Sequence, residues 1–402
     1  MGQATITPER LRAWWAQKQG LLEPLAHSTP ANELSRAGWA RSVGGVGPYL
    51  TLHARGGHSR ADVDAAVAAR EIHELPSARA CTYVVPASDY ALALAVAAAA
   101  DKGAEMKVAV KLGVTEKEIN ALCDAVLRAL KSGPADPDAI RNAVGSKARS
   151  LGLEGQKKGV SSTLPLALGR LQLTGDIRRM PTNGRVDQQR YRYALWDPNP
   201  LKGCKLTAEE AHAELARLYF QWIGPASVAE FQWFSGLGVK AAKDALSPLG
   251  LVPLQAGSER LLLPRDVEEL RSFKLPKDPV YRLTSGLDSL VLLRRDHRSL
   301  AEASDLDSLP VLTKGGAAGG ALADLPCHAI FDRGRLIGLW EYDQPSESIV
   351  WLSFIQRNSD LDASVKITEE YVCTQLGDAR SFSLDSPKSR QPRIEALRRA
   401  AG

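Results

Sequence analysis

With 402 residues, 44% hydrophobic and 24% charged, the chain is long enough for two to four cores of about 100–200 residues each. That composition excludes a disordered, collagen-like or disulfide-stapled chain. The net charge of +5 is unevenly placed: residues 147–202 carry eleven Lys and Arg against four acidic residues, a local balance of +7, while everything else sums to −2.

In chain order, Pro8 opens a helix through Trp14 and Trp15 to Gly20, and Thr29-Pro30-Ala31-Asn32 precedes a second helix over 33–39. Tyr83-Val84-Val85 reads as a wing strand of this first, divergent unit. Thr115 and Glu118 form a capping box ahead of a helix with apolar Ile119, Leu122, Val126, Leu127 and Leu130. Gly133-Pro134 ends it, and Asp136 caps a short helix with Pro137 in its first turn. A third helix is expected over 164–174. Strands at 177–179 and 188–195 flank Asn183-Gly184, a hairpin signal. Helix, helix, helix, hairpin is the order of a winged helix.

The same grammar returns after Asp197-Pro198-Asn199-Pro200. Thr207 with Glu210 and Ser227 with Glu230 cap two helices, Gly236 closes the second, 239–249 reads as a third, and 251–263 bends into a wing. Gly133-Pro134-Ala135-Asp136 and Gly224-Pro225-Ala226-Ser227 thus occupy equivalent places, an internal repeat. Past Pro276 short strands are expected at 280–283, 290–293, 328–331, 336–342 and 349–354, with Asp332-Arg333-Gly334 turning one hairpin. The Gly315–Gly320 stretch reads as a linker. The predicted fold is α+β: winged helices over 1–112, 113–200 (basic) and 201–277, then a β-rich domain over 278–402.

A basic block on a near-neutral body is the footprint of a polyanion binder, because each neutralised phosphate releases counterions. In a winged helix the third helix enters the major groove and the wing lies over phosphates. Arg170 and Gln172 fall on that helix in the basic unit. Arg178, Arg179, Arg185, Arg190 and Arg192 fall in or beside its wing, with Tyr191 and Tyr193 between them, and are the expected DNA contacts. Gly44-Gly45-Val46-Gly47 lacks the Lys-Ser or Lys-Thr of a phosphate loop and reads as a turn. The five cysteines include no Cys-x-x-Cys pair, and the seven histidines include no helical ligand pair, so no metal and no disulfide framework is expected. The longest apolar run, 90–100, falls short of the roughly 20 residues that span a bilayer, which points to the cytoplasm.

Several stretches carry a family resemblance: Tyr49-Leu50-Thr51-Leu52-His53-Ala54-Arg55, residues 82–89, Gly224-Pro225-Ala226-Ser227 through Gly236-Leu237, Leu287-Asp288 with Arg294-Arg295, and Gly334 through Trp340. In this order they resemble the AlkZ and YcaQ type of winged-helix DNA glycosylase over nearly the whole chain. The resemblance implies tandem winged helices in a C-shape around duplex DNA with a β-rich C-terminal domain. It also implies a Gln, hydrophobic, Gln or Gln, hydrophobic, Asp motif that holds the attacking water in cleavage of N7-alkylated purines. That motif falls here on Arg41-Ser42-Val43, where neither glutamine is present. The family's Arg-Gly-Thr before the wing strand reads as Ala80-Cys81-Thr82.

Two functions remain from the sequence. The first is a monomeric duplex-DNA binder acting in recognition of alkylated or otherwise damaged DNA, cytoplasmic or nucleoid-associated if bacterial, with no cofactor and no membrane partner. The second is an active glycosylase whose catalytic group has moved, with Ser42, Tyr49, His53 and Asp89 as possible replacements. The missing glutamines favour the first.

Overall fold

Among the described residues a helix, a very short strand or single bridge, two or three further helices and a hairpin follow one another three times, and each time the short strand or bridge pairs with the second hairpin strand. The computed structural model describes residues 6–294, 296–306 and 325–401. The first unit comprises helix Pro30–Ala37, β1 (Ala40–Arg41), helices Gly47–Gly56 and Arg60–Ala68, β2 (Ile72–Pro76) and β3 (Thr82–Pro86). Its sheet order is β1-β3-β2, with Ala40 opposite Val84. In the second unit, helix Glu116–Leu130 is followed by helices Pro137–Val144 and Leu164–Leu173 and by the hairpin β4 (Ile177–Pro181) and β5 (Tyr191–Leu195). The third has helix Ala208–Ile223, β6 (Ala226–Ser227), helices Val228–Ser235 and Val239–Leu246, β7 (Val252–Pro253) and β8 (Arg260–Leu262), in sheet order β6-β8-β7.

The repeated Gly-Pro-Ala junction has one physical job. Ala135 bridges Tyr193 on β5, and Ala226 pairs with Leu261 on β8, so each alanine stitches the exit of a first helix to the second hairpin strand. The residue after it caps the next helix: Asp136 Oδ1 accepts the Ala139 N–H at 2.8 Å, and Ser227 Oγ accepts that of Glu230 at 3.1 Å. Thr207 and Ser227 each close a full capping box. At Thr115 the hydroxyl accepts the Glu118 N–H, whereas the Glu118 carboxylate goes to Arg149 Nε at 2.6 Å.

Three sequence expectations are corrected. The first unit's short strand is Ala40–Arg41; Thr29 caps that unit's first helix, and helix Pro8–Lys18, read as the opening of the unit, lies outside the repeat. Residues 290–293 were expected as a strand. They lie in a helical turn, Ser289–Leu292, because Asp288 accepts the Leu290 N–H and caps it. The hairpin at Asn183-Gly184 is not tight, since β5 begins only at Tyr191 and residues 182–190 form a long loop. The Gly315–Gly320 stretch and Arg295 lie outside the described residues.

The C-terminal sheet is antiparallel in order β12-β11-β10-β9, comprising β9 (Tyr281–Thr284), β10 (His328–Asp332), β11 (Arg335–Asp343) and β12 (Ser348–Ser353). Helix Pro387–Ala401 packs across β11 and β12. Among the described residues three hydrophobic cores result. One is drawn from 109–177 and is contiguous in sequence. The other two mix the ends of the chain: Trp15 and Leu397 share one, Tyr49 and Ala379 the other.

Buried charge joins stretches that are far apart in sequence. Arg55, from the helix after β1, makes a bidentate pair with Asp288, its Nη1 and Nη2 at 2.7 and 2.9 Å from the two carboxylate oxygens. Both side chains are fully buried, and Gln19 and Thr51 complete the network. Arg294 likewise lies 3.4 Å over the Trp15 ring and donates to the carbonyl of Ile223.

Candidate nucleic-acid interface

At the edge of the first sheet the chain leaves β1 with its side chains alternating in burial. Arg41 and Val43 are half-exposed, while Ser42 turns inward. Arg41 Nη1 donates to the Thr82 carbonyl at 3.2 Å and its guanidinium lies 5.4 Å from the Tyr83 ring. The Ser42 hydroxyl donates to Oε1 of Glu74, a β2 carboxyl that is only 4% exposed. Burial raises the Glu74 pKa above its ordinary value, against the opposing pull of Arg179 and of hydrogen bonds from Ser42 and Tyr191. A protonatable carboxyl therefore sits directly beneath positions 41–43. Sequence reasoning missed it, because Ile72-His73-Glu74-Leu75 is an unremarkable strand and Glu74's partners come from 32 residues before and more than 100 after.

Those later partners arrive on the hairpin of the basic unit. Arg179 stacks 4.8 Å from the Tyr191 ring and its Nη2 reaches Thr82 Oγ1 at 3.4 Å, so β4–β5 lies against the sheet that carries Arg41. Neighbouring Arg178 approaches Arg70 and buried His73. That imidazole is pushed down to about 3, by burial first and then by Arg178, Arg179 and Arg70.

The other expected contacts divide into two kinds. Arg190 and Arg192 are exposed; Arg192 donates to the Pro134 carbonyl, and Arg190 forms no ion pair among the described residues. Arg170, in contrast, is committed to Glu116 and Asn120 on the neighbouring helix, at 2.9 and 2.8 Å. Gln172 donates to the Leu168 carbonyl of its own helix. Arg185 pairs with buried Asp187 inside the 182–190 loop.

That loop is held by Tyr49, whose hydroxyl accepts the Val186 N–H at 3.1 Å and donates to Asp64; burial first, then Asp64, raises its pKa. His53 stacks on Tyr371 with ring centroids 3.8 Å apart, and Asp89 accepts the Trp39 indole N–H at 2.9 Å. Of the four possible catalytic replacements, Ser42 alone is bonded to the Glu74 carboxyl.

A third segment, 380–386, closes the site from the C-terminal side. Ser383 N–H donates to the Val43 carbonyl at 3.0 Å, and Arg380 bridges the carbonyls of Gly44 and Asp187 at 3.0 and 2.7 Å. Gly45 is required for this approach, since a Cβ there would lie 2.2 Å from the Ser381 carbonyl oxygen. Arg79 takes a left-handed backbone (φ 58°) in the β2–β3 turn, and its guanidinium lies 4.2 Å from the Trp233 ring. It stands one residue before Ala80-Cys81-Thr82.

The buried carboxyl has a consequence for stability. A Glu whose folded pKa exceeds its unfolded value binds its proton more tightly when folded. Its contribution is complete below the ordinary value near 4.5 and is lost as pH rises through the folded value. Glu74→Gln is therefore expected to gain in melting temperature relative to the unaltered protein as pH is raised from about 5 to about 8. Thermal unfolding across that range measures it; a flat difference would mean that Arg179 keeps the carboxyl ionised throughout.

No helix among the described residues is long and apolar enough to cross a membrane. Compared with known proteins, residues 46–351 match the model of the family described as DNA glycosylase AlkZ-like, beginning just past Arg41-Ser42-Val43. Among solved structures the chain is similar to Streptomyces sahachiroi DNA glycosylase AlkZ, with 17% sequence identity and a TM-score of 0.68 over 94% of this chain and 99% of that one. No curated protein sequence matches it.

Proposed function

The chain belongs to the AlkZ-like DNA glycosylase family, and from that premise we propose that it binds duplex DNA as a monomer and recognises alkylated or otherwise damaged sites in DNA repair, without a cofactor. In this reading the winged unit of residues 113–200 grips the phosphates and the edge at Arg41 faces the lesion. The observation that carries it is the β4–β5 hairpin: Arg190 and Arg192 are exposed, Arg178 and Arg179 half-exposed, and Arg179 is lodged against the sheet of Arg41. Cations presented together on one hairpin supply sequence-independent backbone contacts.

The experiment is a salt titration of duplex binding. Each phosphate contact in B-DNA contributes about −0.9 to the log-log slope, so Arg190→Ala with Arg192→Ala should flatten it by about 1.8. Arg170→Ala and Arg185→Ala should leave it unchanged, because both cations are committed within the protein. An unaltered slope in the 190/192 double variant would move the binding face elsewhere.

A second reading, excision by a relocated group, is favoured by one observation, the Glu74 carboxyl held by Ser42 beneath positions 41–43. A carboxyl with a raised pKa in a shielded site is suited to positioning a water or a proton. Against it stands the enclosure of Glu74 behind the basic hairpin, which leaves it 4% exposed.

A further inference from the structure

Between Ser381 and Ser386 the chain makes a compact turn that presents two apolar side chains to water. Phe382 is 44% and Leu384 83% exposed, the latter the most exposed large apolar side chain among the described residues. Single exposed leucines are ordinary on protein surfaces. This pair differs in how firmly its backbone is fixed and in what it adjoins.

Asp385, 1% exposed, accepts the Ser381 N–H at 3.0 Å and pairs with Arg393 at 2.8 Å, so its charge is spent inside the fold. The Asp385 and Ser386 N–H groups close on the carbonyls of Phe382 and Leu384, both at 3.0 Å. Ser383, between the two apolar residues, is tied to the Val43 carbonyl. A Cβ on Gly44 would meet both Gln189 and Ser383 within 3.0 Å, which places the turn against the residue next to exposed Arg190. Lys388 is exposed just beyond. A rigid apolar tip, flanked by cations and fastened to positions 41–43, matches the chemistry of a stacked polyanion: charge for the backbone and an apolar edge for the space between bases.

We propose that Phe382 and Leu384 form a wedge that enters the base stack of bound duplex DNA and holds it open beside Arg41-Ser42-Val43. The wedge rests on the DNA-binding reading, but it makes a separate demand: the DNA must be unstacked as well as held. Opening a step exposes the base that the site reads, and the fixed turn meets the DNA without first being ordered.

The test uses a short duplex with 2-aminopurine, whose fluorescence rises on unstacking, beside a tetrahydrofuran abasic analogue. Binding is followed separately by anisotropy of an end label. The unaltered protein should raise both signals. Leu384→Ala combined with Phe382→Ala, at exposed positions that the fold does not need, should still saturate the duplex at higher protein concentration but lose the 2-aminopurine rise at saturation. Leu384→Met, with a comparable apolar volume, should retain it. An undiminished rise in the double alanine variant, or saturable binding by the unaltered protein without any rise, would overturn the wedge and leave DNA binding standing. Absence of anisotropy change with the unaltered protein would overturn both.

Discussion

Incubated with alkylated duplex, the unaltered protein is expected to bind without releasing N7-methylguanine above the spontaneous rate. The reason is local. Position 41 carries a cation that rests on the Thr82 carbonyl and the Tyr83 ring, and position 43 an apolar side chain. A cation repels the positive charge that develops on the sugar as the glycosidic bond breaks, and valine can hold no water. The family resemblance puts two water-holding groups at positions 41 and 43; loss of a single preorganised group commonly costs about 10²–10³ in rate, so a site built on those two positions keeps little chemistry. Both side chains are half-exposed, so replacement needs no rebuilding of the core. Arg41→Gln with Val43→Gln is then expected to introduce measurable release. Robust, saturable release by the unaltered protein, abolished in Glu74→Gln with binding retained, would reverse the assignment and make Glu74 the relocated catalytic group.

The second large effect is on stability. Asp288→Ala should lower the free energy of unfolding by about 3–5 kcal/mol, since it strands a buried guanidinium. Arg55 would keep Gln19 and the Thr51 carbonyl but lose both carboxylate bonds, in a site with no exposed surface on either partner. Asp288 also caps the turn Ser289–Leu292, which would fray with it. Urea unfolding of the two proteins measures the difference. A midpoint close to the original would show that solvent reaches Arg55 once the carboxylate is gone. Double replacement of Arg55 and Asp288 by apolar residues should recover much of the loss, because the cost lies in the orphaned charge.

How much of this was legible depended on range. Helix starts are written locally, and Thr115, Thr207 and Ser227 were read from the cap residue and its partner three positions on. The Gly-Pro-Ala repeat was legible for the same reason. β1 was not, because a two-residue strand has no periodicity and exists only through pairing with Tyr83 and Val84. Without it the first unit appeared to open at Pro8, whereas its first helix is the one that Thr29 caps. Leu290 to Leu293 is an apolar run that suits strand or helix equally, and Asp288 decides between them. Charge composition identified the basic hairpin but could not separate Arg190, which faces water, from Arg170 and Arg185, which face carboxylates. Glu74 was illegible outright: its character comes from Ser42, Tyr191 and Arg179, which the fold alone brings together.

The mixed cores have a consequence for the order in which the protein can be made. A chain leaves the ribosome from its first residue at about 5–20 residues per second. The cluster drawn from 109–177 can close as soon as those residues emerge. The clusters that hold Trp15 and Tyr49 are complete only once Leu397 and Ala379 have emerged, an interval on the order of tens of seconds. Until then earlier partners cover them in part, Pro225 and Arg294 for Trp15 and Val186 for Tyr49. The core of the basic unit is thus able to close early, while the edge at Arg41 is completed only when Ser383 reaches the Val43 carbonyl.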